Sequence, residues 1–268
     1  MNFEMKIGIV GLGFVGEAIR NSCDWGMGSI ICVDSDVRKG HVGTYAQLME
    51  CEGIFVCVPS PTKDDGTCDT SILEDVLTKL EGFNGVIISK VTAPPDVYQR
   101  LGKKYPNLVH APEFLTAANA NRDYANAKWS IIGGSVSAYR HEAERIIKLT
   151  QSGLETIKFC SIGDAALAKY AINSFLATKV VFMNELYQLA EKAGLNYDVV
   201  TNLIKQDDRI GDSHMRVPGT DGSLGFGGYC FPKDTSALLK YAEQIKSPMN
   251  VLESAVKKNT LLRLTEPK

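Results

Sequence analysis

The feature that most constrains the fold is the glycine-rich hexapeptide GLGFVG at residues 11–16, which directly follows an apolar run at residues 6–10. A strand that ends in this pattern and opens a helix is typical of a phosphate-binding βα turn. Gly11 permits the tight turn, Gly13 lets a pyrophosphate approach the backbone, and Gly16 allows close helix–strand packing. The pattern therefore predicts a dinucleotide-binding domain. Its predicted contacts to the phosphates are Gly11, Gly13, Phe14, Val15 and Gly16.

An acidic residue favours NAD as the dinucleotide. A second apolar run, residues 29–33, is followed by Asp34, which stands 18 residues after Gly16. In dinucleotide-binding domains, an acidic residue roughly 20 residues beyond the glycines binds the adenosine ribose 2′-OH. A 2′-phosphate would be repelled by this carboxylate. Arg38 and Lys39 stand nearby and could bind a 2′-phosphate, so the sequence does not exclude NADP. Lys39 is also a candidate cofactor contact.

The alternation of apolar runs with helical stretches predicts an α/β fold of the Rossmann type, with a parallel, doubly wound sheet. The predicted strands are residues 6–10, 29–33, 53–58, 85–89, 108–110 and 130–133. Ligands bind beyond the carboxyl ends of such strands. Candidate binding residues in the loops that follow the third, fourth and fifth strands are Pro59, Thr62, Thr92, Glu113, Phe114 and Leu115.

The pattern changes near residue 162, because residues 164–193 carry apolar side chains at helical spacing without Gly or Pro. One long helix ended by Gly194 is predicted. We therefore expect an NAD-binding domain over residues 1–160 and an all-helical central domain over residues 161–268. Lys169 and Asn173 share one face of the long helix, either as paired donors to an oxyanion or as a solvated polar stripe.

The segment GFGGYCFPKD at residues 225–234 presents one thiol among glycines, a lysine and a carboxylate. A nucleophilic cysteine requires the thiolate, which positive charge or backbone amides stabilise, and glycines leave room for a substrate. If a helix starts near Pro232, Asp234 lies one turn beyond Cys230. The alternative is a glycine turn before a Pro-initiated helix, with Cys230 as a small buried residue.

Composition excludes several classes of partner. The 268 residues are 44% hydrophobic and carry a net charge of −2 with both signs interspersed, which predicts no nucleic-acid or membrane-surface partner. The apolar runs are too short to span a membrane and the start of the chain has no signal-peptide pattern, so a cytoplasmic protein is expected. Seven cysteines without a C-x-x-C pair indicate neither a disulfide framework nor a metal site.

Several motifs occurring in order resemble the UDP-glucose 6-dehydrogenases of the UDP-glucose/GDP-mannose dehydrogenase family. The resemblance covers residues 6–259. Its motifs are GLGFVG, VPSPT at 58–62, KVTAPP at 90–95, APEFL at 111–115, the Lys169-x-x-x-Asn173 pair followed by Asn184-Glu185, DDRIG at 207–211, and GFGGYCFPKD.

The resemblance implies a two-step, four-electron oxidation of a nucleotide-sugar C6 alcohol to a carboxylate with two NAD molecules, as in the conversion of UDP-glucose to UDP-glucuronate for polysaccharide biosynthesis. It makes Cys230 the nucleophile, through a thiohemiacetal and then a thioester. Lys169 and Asn173 would steady the oxyanion, and Asp234 with Thr92 and a water would manage proton transfer. Further implied contacts are Lys233 to phosphates, Glu113 of the substrate loop, and Phe114, Leu115, Arg209 and Gly227 to the sugar nucleotide.

The chain departs from this family at three places, one of which is His214, where relatives often have a tyrosine near the nucleotide. Thr116 and Ala117 stand where the family has an arginine and a glutamate, and the sequence stops at Lys268, where relatives continue into a second Rossmann-like domain. A piece of a longer protein and a short form both remain open. The resemblance therefore leaves two alternatives: a β-hydroxyacid dehydrogenase, which uses no catalytic cysteine, and an NAD-binding form with little activity of its own.

A helical stretch after residues 247–248 predicts self-association. Val251, Leu252, Ala255 and Val256 share one face of it, and family members pair through this central helix. Since exposed apolar faces seek partners, a homodimer is expected.

Overall fold

A computed structural model describes residues 5–23, 28–39, 43–151 and 153–264, so the first four residues of the chain lie outside the described part. Contacts divide the chain into two units. The first comprises Met1–Pro61 and Cys68–Lys169, and the second comprises Thr62–Thr67 and Tyr170–Lys268. The division falls inside a long helix, whereas the boundary expected from the sequence, 160/161, stands just before that helix.

The first unit is built on a sheet that has seven strands in the described residues, in the order β2-β1-β3-β4-β5-β6-β7. Strands β1 to β5 are parallel, which confirms the predicted class. The strands are β1 (Met5–Val10), β2 (Gly28–Val33), β3 (Gly53–Val56), β4 (Val86–Ser89), β5 (Leu108–His110), β6 (Trp129–Gly134) and β7 (Thr156–Cys160). The helices that accompany them are α1 (Phe14–Ser22), α2 (Tyr45–Leu48), α3 (Ser71–Lys79), α4 (Pro95–Lys104), α5 (Ala120–Ala125) and α6 (Ser137–Thr150).

Helices cover both faces of this sheet because alternate strand residues point in opposite directions. In β3, Ile54 and Val56 belong to one buried cluster, which includes side chains from α2, α3 and α4. Phe55 belongs to a separate cluster, which includes side chains from α1, α5 and α6. Both faces of the central strands are thus apolar, which is why these strands appear in the sequence as continuous apolar runs.

The last two strands differ from the prediction. β6 pairs antiparallel with β5, with Val109 opposite Gly134, and β7 pairs parallel with β6. An apolar run reports that a strand is buried and carries no information about its direction. β7 was not predicted at all, because this edge strand leaves Thr156, Lys158 and Phe159 exposed and so has no continuous apolar run.

The second unit is helical, as predicted. The long helix α7 (Ile162–Ala193) enters it and ends at Gly194, whose φ of +69° terminates a helix readily. Its other helices are α8 (Tyr197–Ile204), α9 (Cys230–Gln244) and α10 (Asn250–Arg263). None of the helices in the described residues is long and apolar enough to cross a bilayer.

A short excursion of the chain, Thr62–Thr67, also belongs to the second unit. It forms a turn in which the Lys63 amide donates to the carbonyl of Thr67 at 2.8 Å. The hydroxyl of Ser236 on α9 donates to the carbonyl of Gly66 at 2.9 Å. A piece of chain from between β3 and α3 is therefore hydrogen-bonded to the helix that begins at Cys230.

The apolar face expected on α10 is mostly turned inward. Leu252 and Ala255 are buried, and Val256 packs against a cluster formed with residues of α7 and of the glycine-rich segment. These side chains stabilise the second unit itself, whereas Leu261 and Leu264 later in the stretch are exposed, so pairing through the stretch from Val251 to Leu264 stays a prediction. Val251 alone among the four is strongly exposed.

Two asparagines hold the glycine-rich segment that precedes α9. The side chain of Asn184 on α7 accepts from the Gly225 amide at 2.9 Å. Asn259 on α10 accepts from the Phe226 amide at 2.6 Å and donates to the Phe226 carbonyl at 3.0 Å. Because this segment has no strand neighbour, these side chains satisfy backbone groups that would otherwise be buried without partners.

We predict that Asn259→Ala lowers the free energy of unfolding by about 2 to 3 kcal/mol, because it leaves two buried backbone groups unpaired. Denaturant titration measures this value. The matched control is Asn202→Ala on the exposed side of α8, which should change it by less than about 0.5 kcal/mol. Equal small effects of the two substitutions would contradict the anchoring role of Asn259.

Candidate active site

The turn after β1 has the geometry that its glycines predict. Gly11 has a φ of +92°, and a Cβ there would lie 2.8 Å from the carbonyl oxygen of Cys57. A Cβ on Gly16 would collide with the carbonyl oxygen of Gly11, so α1 packs directly on the turn. Around Gly13, in contrast, a Cβ would meet nothing within 4 Å. The backbone at Gly13 is therefore open to a ligand, and the turn fits a dinucleotide.

Asp34 lies at the end of β2 beside this turn. One carboxylate oxygen accepts from the Leu12 amide at 2.5 Å and the other from the Asp36 amide at 2.8 Å. The ammonium of Lys39 donates to the Leu12 carbonyl at 2.5 Å and lies 3.9 Å from Asp34. Asp34 and Lys39 thus both bind the backbone of the glycine turn, which couples their positions to the turn that would hold the pyrophosphate.

The proline-containing loops after β3 and β4 are joined by a side chain. Ser60 is buried, and its hydroxyl donates to the carbonyl of Thr92 at 2.7 Å. Pro59, one residue earlier, is exposed, and Thr62 belongs to the second unit. The contacts of Pro59, Thr62 and Thr92 with a cofactor stay predictions.

Glu113, after β5, is held by both of its neighbouring lysines. One carboxylate oxygen accepts from the Phe114 amide at 2.8 Å, and the other lies 3.6 Å from the ammonium of Lys90. Its backbone carbonyl accepts from the ammonium of Lys169 on α7, which also lies 4.9 Å above the ring of Phe114. Lys169 is buried, so the alternative of a solvated stripe is wrong for this residue.

A cavity of about 150 Å³ adjoins this loop, and Lys90, Glu113, Phe114, Trp129 and Gln151 are among its lining residues. The rings of Phe114 and Trp129 are 4.7 Å apart and tilted. Leu115 is partly buried and packs against the cluster that contains Phe55, and its predicted contact with substrate stays a prediction. The cavity therefore combines a buried ion pair with an aromatic wall.

The histidine that ends β5 is unsuited to acid–base chemistry at neutral pH. Burial lowers the pKa of His110 to about 3, so its ring is neutral. Its Nδ1 lies 3.1 Å from the carbonyl oxygen of Ser89, which makes Nδ1 the protonated nitrogen. The ring stacks on Tyr98, with centroids 4.1 Å apart. His110 consequently supports the loop from within the core.

In the second unit, Cys230 is the first residue of α9 and is exposed. Its exposure leaves the thiol accessible to a ligand or a reagent. The helix starts two residues before Pro232, close to the predicted point, and the alternative of a buried Cys230 is wrong. Burial raises the pKa of Cys23 and Cys51 to about 11, so those thiols are poor nucleophiles.

Asp234, one turn into α9, is the centre of a buried polar group. One of its oxygens accepts from the side-chain amide of Asn173 at 2.5 Å and the other from the ammonium of Lys233 at 2.5 Å. All three side chains are buried, so the solvated-stripe alternative is also wrong for Asn173. Because Lys233 neutralises Asp234, the pair is stable away from water, and the predicted contact of Lys233 with phosphates stays a prediction.

Arg209 and Gly227, both predicted to bind the sugar nucleotide, have different surroundings. Arg209 is exposed and binds the carboxylate of Asp207 through two nitrogens, at 2.9 and 2.5 Å. Gly227 makes room for Arg263, since a Cβ would lie 2.9 Å from that guanidinium, which in turn binds Asp221. The substrate contacts of Arg209 and Gly227 stay predictions.

Sequence reasoning missed Lys90, Asn184 and Asn259 as residues that support this site. Lys90 could have been identified from the sequence, because a lysine that directly follows a buried strand needs an opposite charge or a hydrogen-bond acceptor nearby. Asn184 was noted within a motif but without a role. The described residues contain no group of three His, Cys, Asp or Glu side chains suited to a metal ion.

Comparison with known families gives two matches that follow each other along the chain. Residues 40–151 match the model of the UDP-glucose/GDP-mannose dehydrogenase family, NAD binding domain. Residues 163–261 match the model of the central domain of the same family. The two matches agree with the change from a sheet to helices.

Curated relatives and solved structures agree with these matches. A putative UDP-glucose 6-dehydrogenase of Bacillus subtilis is 30% identical over 94% of this chain and 66% of its own length. A UDP-glucose 6-dehydrogenase of Rhizobium meliloti is 29% identical over 95% of this chain and 67% of its own length. The chain thus spans about two thirds of these relatives. A UDP-glucose dehydrogenase structure from Pyrobaculum islandicum has a TM-score of 0.81 at 21% identity, covering 97% of this chain and 69% of that one.

A further solved structure shares the fold over nearly its whole length. The 3-hydroxyisobutyrate dehydrogenase of Mycobacterium tuberculosis has a TM-score of 0.74 at 16% identity, covering 98% of this chain and 97% of that one. At this identity the likeness concerns the fold alone.

We predict that a short pulse of iodoacetamide at pH 8 labels Cys230 at least about tenfold faster than the other six cysteines, because it is exposed at a helix N-terminus. Peptide mass spectrometry measures the labelling. In Cys230→Ser the fast phase should disappear and the slow labelling should remain. Uniform labelling of all seven thiols would contradict the assignment.

Proposed function

Because the chain belongs to the UDP-glucose/GDP-mannose dehydrogenase family, we propose that it oxidises the C6 alcohol of a nucleotide sugar to a carboxylate, with UDP-glucose as substrate. The observation that carries this proposal is an exposed thiol at the start of α9, one turn before the buried Asp234. The product is a sugar acid of the kind used in polysaccharide biosynthesis. A cytoplasmic location remains a prediction.

Cys230 is the group that makes a four-electron oxidation possible without release of the aldehyde. Its thiolate adds to the C6 aldehyde formed in the first oxidation, which gives a thiohemiacetal. Loss of a hydride from C6 and of a proton from the hydroxyl of that adduct leaves a thioester. Water then attacks the thioester carbonyl, the carbon–sulfur bond breaks, and the carboxylate and the free thiol are formed.

Proton transfer and charge stabilisation fall to the buried polar groups. Asn173 and Lys169 stabilise the oxyanion of each tetrahedral species, a role in which a donor typically contributes about 3 kcal/mol. Asp234 takes protons from the alcohol and from the hydrolytic water, assisted by Thr92. Lys233 and Asn173 hold the carboxylate of Asp234 through both oxygens, which fixes its direction.

Two NAD molecules, bound one after the other, would each accept one hydride. The residues that would hold NAD are those of the glycine turn. Gly13 leaves open space there, and Asp34 and Lys39 are hydrogen-bonded to the backbone of Leu12. Asp34 selects against a 2′-phosphate by charge repulsion. In the substrate loop, Glu113 orients the hydrolytic water, since Ala117 provides no second carboxylate.

We expect the purified protein to form two NADH for each sugar oxidised when it is assayed against UDP-glucose, UDP-N-acetylmannosamine and GDP-mannose. The assay is run with and without a separately supplied C-terminal domain of a relative. Absence of NADH with every sugar in both arms would contradict the proposed function and favour an NAD-binding protein with no activity of its own.

Cys230→Ser should reduce carboxylate formation by about 10³-fold or more, because no thioester can form. Mass spectrometry of Asp234→Asn, which slows hydrolysis, should detect the sugar acyl group on the peptide that contains Cys230. If Cys230→Ser instead retains activity and oxidises β-hydroxyacids, the alternative of a hydroxyacid dehydrogenase is correct.

We also propose that the chain forms a homodimer through α7. Phe175, Phe182 and Leu189 are 69%, 61% and 63% exposed, and their spacing of seven residues aligns them along one side of the helix. An apolar stripe of this length exposed to water is typical of a helix that packs against another helix.

Light scattering at micromolar concentration should give the mass of a dimer, and Phe182→Glu should shift it to that of a monomer, because a buried unpaired carboxylate is costly. Ile72→Glu on α3 is the control, since Ile72 is an exposed apolar residue on a helix of the first unit and lies outside α7. A monomeric wild-type protein would contradict the proposal.

A further inference from the structure

We propose that Lys90, for which neither the sequence motifs nor the proposed mechanism provides a role, is a positioning residue that holds the carboxylate of Glu113 in its working orientation. This inference rests on the proposed function, in which Glu113 orients the hydrolytic water. Lys90 itself does not touch the substrate, since its side chain is only 1% exposed.

The burial of Lys90 forces it to have a partner. An ammonium group without an opposite charge is strongly destabilised away from water. The opposite charge that the described residues offer is the carboxylate of Glu113, 3.6 Å from the ammonium and itself only 12% exposed. The two charges therefore depend on each other. If either side chain is removed, the other is left as a buried charge without a partner, which is strongly destabilising.

Lys90 is fixed by the core around it, so it can act as a reference point. Its backbone amide donates to the Val56 carbonyl at 2.9 Å, and its ammonium lies 5.7 Å from the ring of Tyr124. That ring is fully buried, and its hydroxyl is 2.7 Å from the hydroxyl of Thr150. The position of the positive charge is thus determined by residues of β3, α5 and α6.

The carboxylate of Glu113 is consequently held at both oxygens. One oxygen faces Lys90, and the other accepts from the Phe114 amide at 2.8 Å. Since the backbone carbonyl of Glu113 is bound by Lys169, the residue has little freedom in either its main chain or its side chain. A carboxylate that must aim a water at a thioester benefits from such restriction, because misplacement by about 1 Å can reduce a rate about 100-fold.

The Phe114 amide provides a test that does not depend on activity. In Lys90→Met the carboxylate of Glu113 loses its counter-charge and should turn toward water, which frees the Phe114 amide. Hydrogen exchange at this amide, followed by NMR, should then accelerate roughly tenfold or more, as expected for loss of a hydrogen bond to a charged acceptor. In the double variant Lys90→Met/Glu113→Gln, the side chain at position 113 is uncharged and should stay buried. Its oxygen should then still accept from the Phe114 backbone amide and keep that amide protected from exchange.

The matched control is Lys128→Met. Lys128 lines the same cavity but is exposed and pairs with Glu155 at 2.8 Å, so its loss should leave hydrogen exchange at the Phe114 amide unchanged. With the sugar nucleotide that the wild-type protein oxidises, Lys90→Met should lower kcat about 100-fold while the KM for NAD changes less than about twofold.

The inference is overturned if Lys90→Met matches Lys128→Met in both kcat and Phe114 exchange. It is also overturned if Lys90→Met accelerates exchange equally at the amides of the central strands, or if the double variant exchanges as fast at Phe114 as the single one. If the wild-type protein oxidises no nucleotide sugar, the proposed function fails by itself, and the exchange comparison of the three variants still decides whether Lys90 holds Glu113.

Discussion

A charge that is removed from water must meet an opposite charge or aligned dipoles, and the candidate site depends on this constraint. In the first unit, the buried Lys90 and Lys169 are bound by the carboxylate and by the backbone carbonyl of Glu113. In the second unit, the buried Lys233 is bound by the carboxylate of Asp234. Each pairing fixes the direction of an acidic residue as well as that of the lysine. The carboxylates of Glu113 and Asp234 are consequently oriented by groups that belong to the protein itself.

The sequence predicts those parts of the structure whose signal is local. The glycine turn is an example, because each of its glycines meets a steric limit set by the adjacent strand and helix. The parallel strands β1 to β5 are another, since burial on two faces produces continuous apolar runs. The long helix α7 and its end at Gly194 were likewise predictable, because helical periodicity and a left-handed glycine are properties of a short stretch of sequence.

The parts that were missed depend on residues far apart in the chain. The bond of Asn184 to Gly225 spans 41 residues, and that of Asn259 to Phe226 spans 33. The inward direction of the apolar face of α10 depends on where α7 lies, which periodicity in α10 does not report. The same holds for Lys90, whose partner is set by the pairing of β4 with β5. Spacing along the sequence thus gives little information about residues whose partners lie far away in the chain.

The excursion Thr62–Thr67 has a consequence for dissecting the molecule. Because six residues from between β3 and α3 belong by their contacts to the helical unit, neither unit is a continuous stretch of polypeptide. A recombinant fragment that begins after Lys169 would lack the turn whose Gly66 carbonyl accepts a hydrogen bond from Ser236 on α9. Separate expression of the helical half would therefore yield an incomplete unit, and limited proteolysis at one bond would not divide the chain into two intact parts.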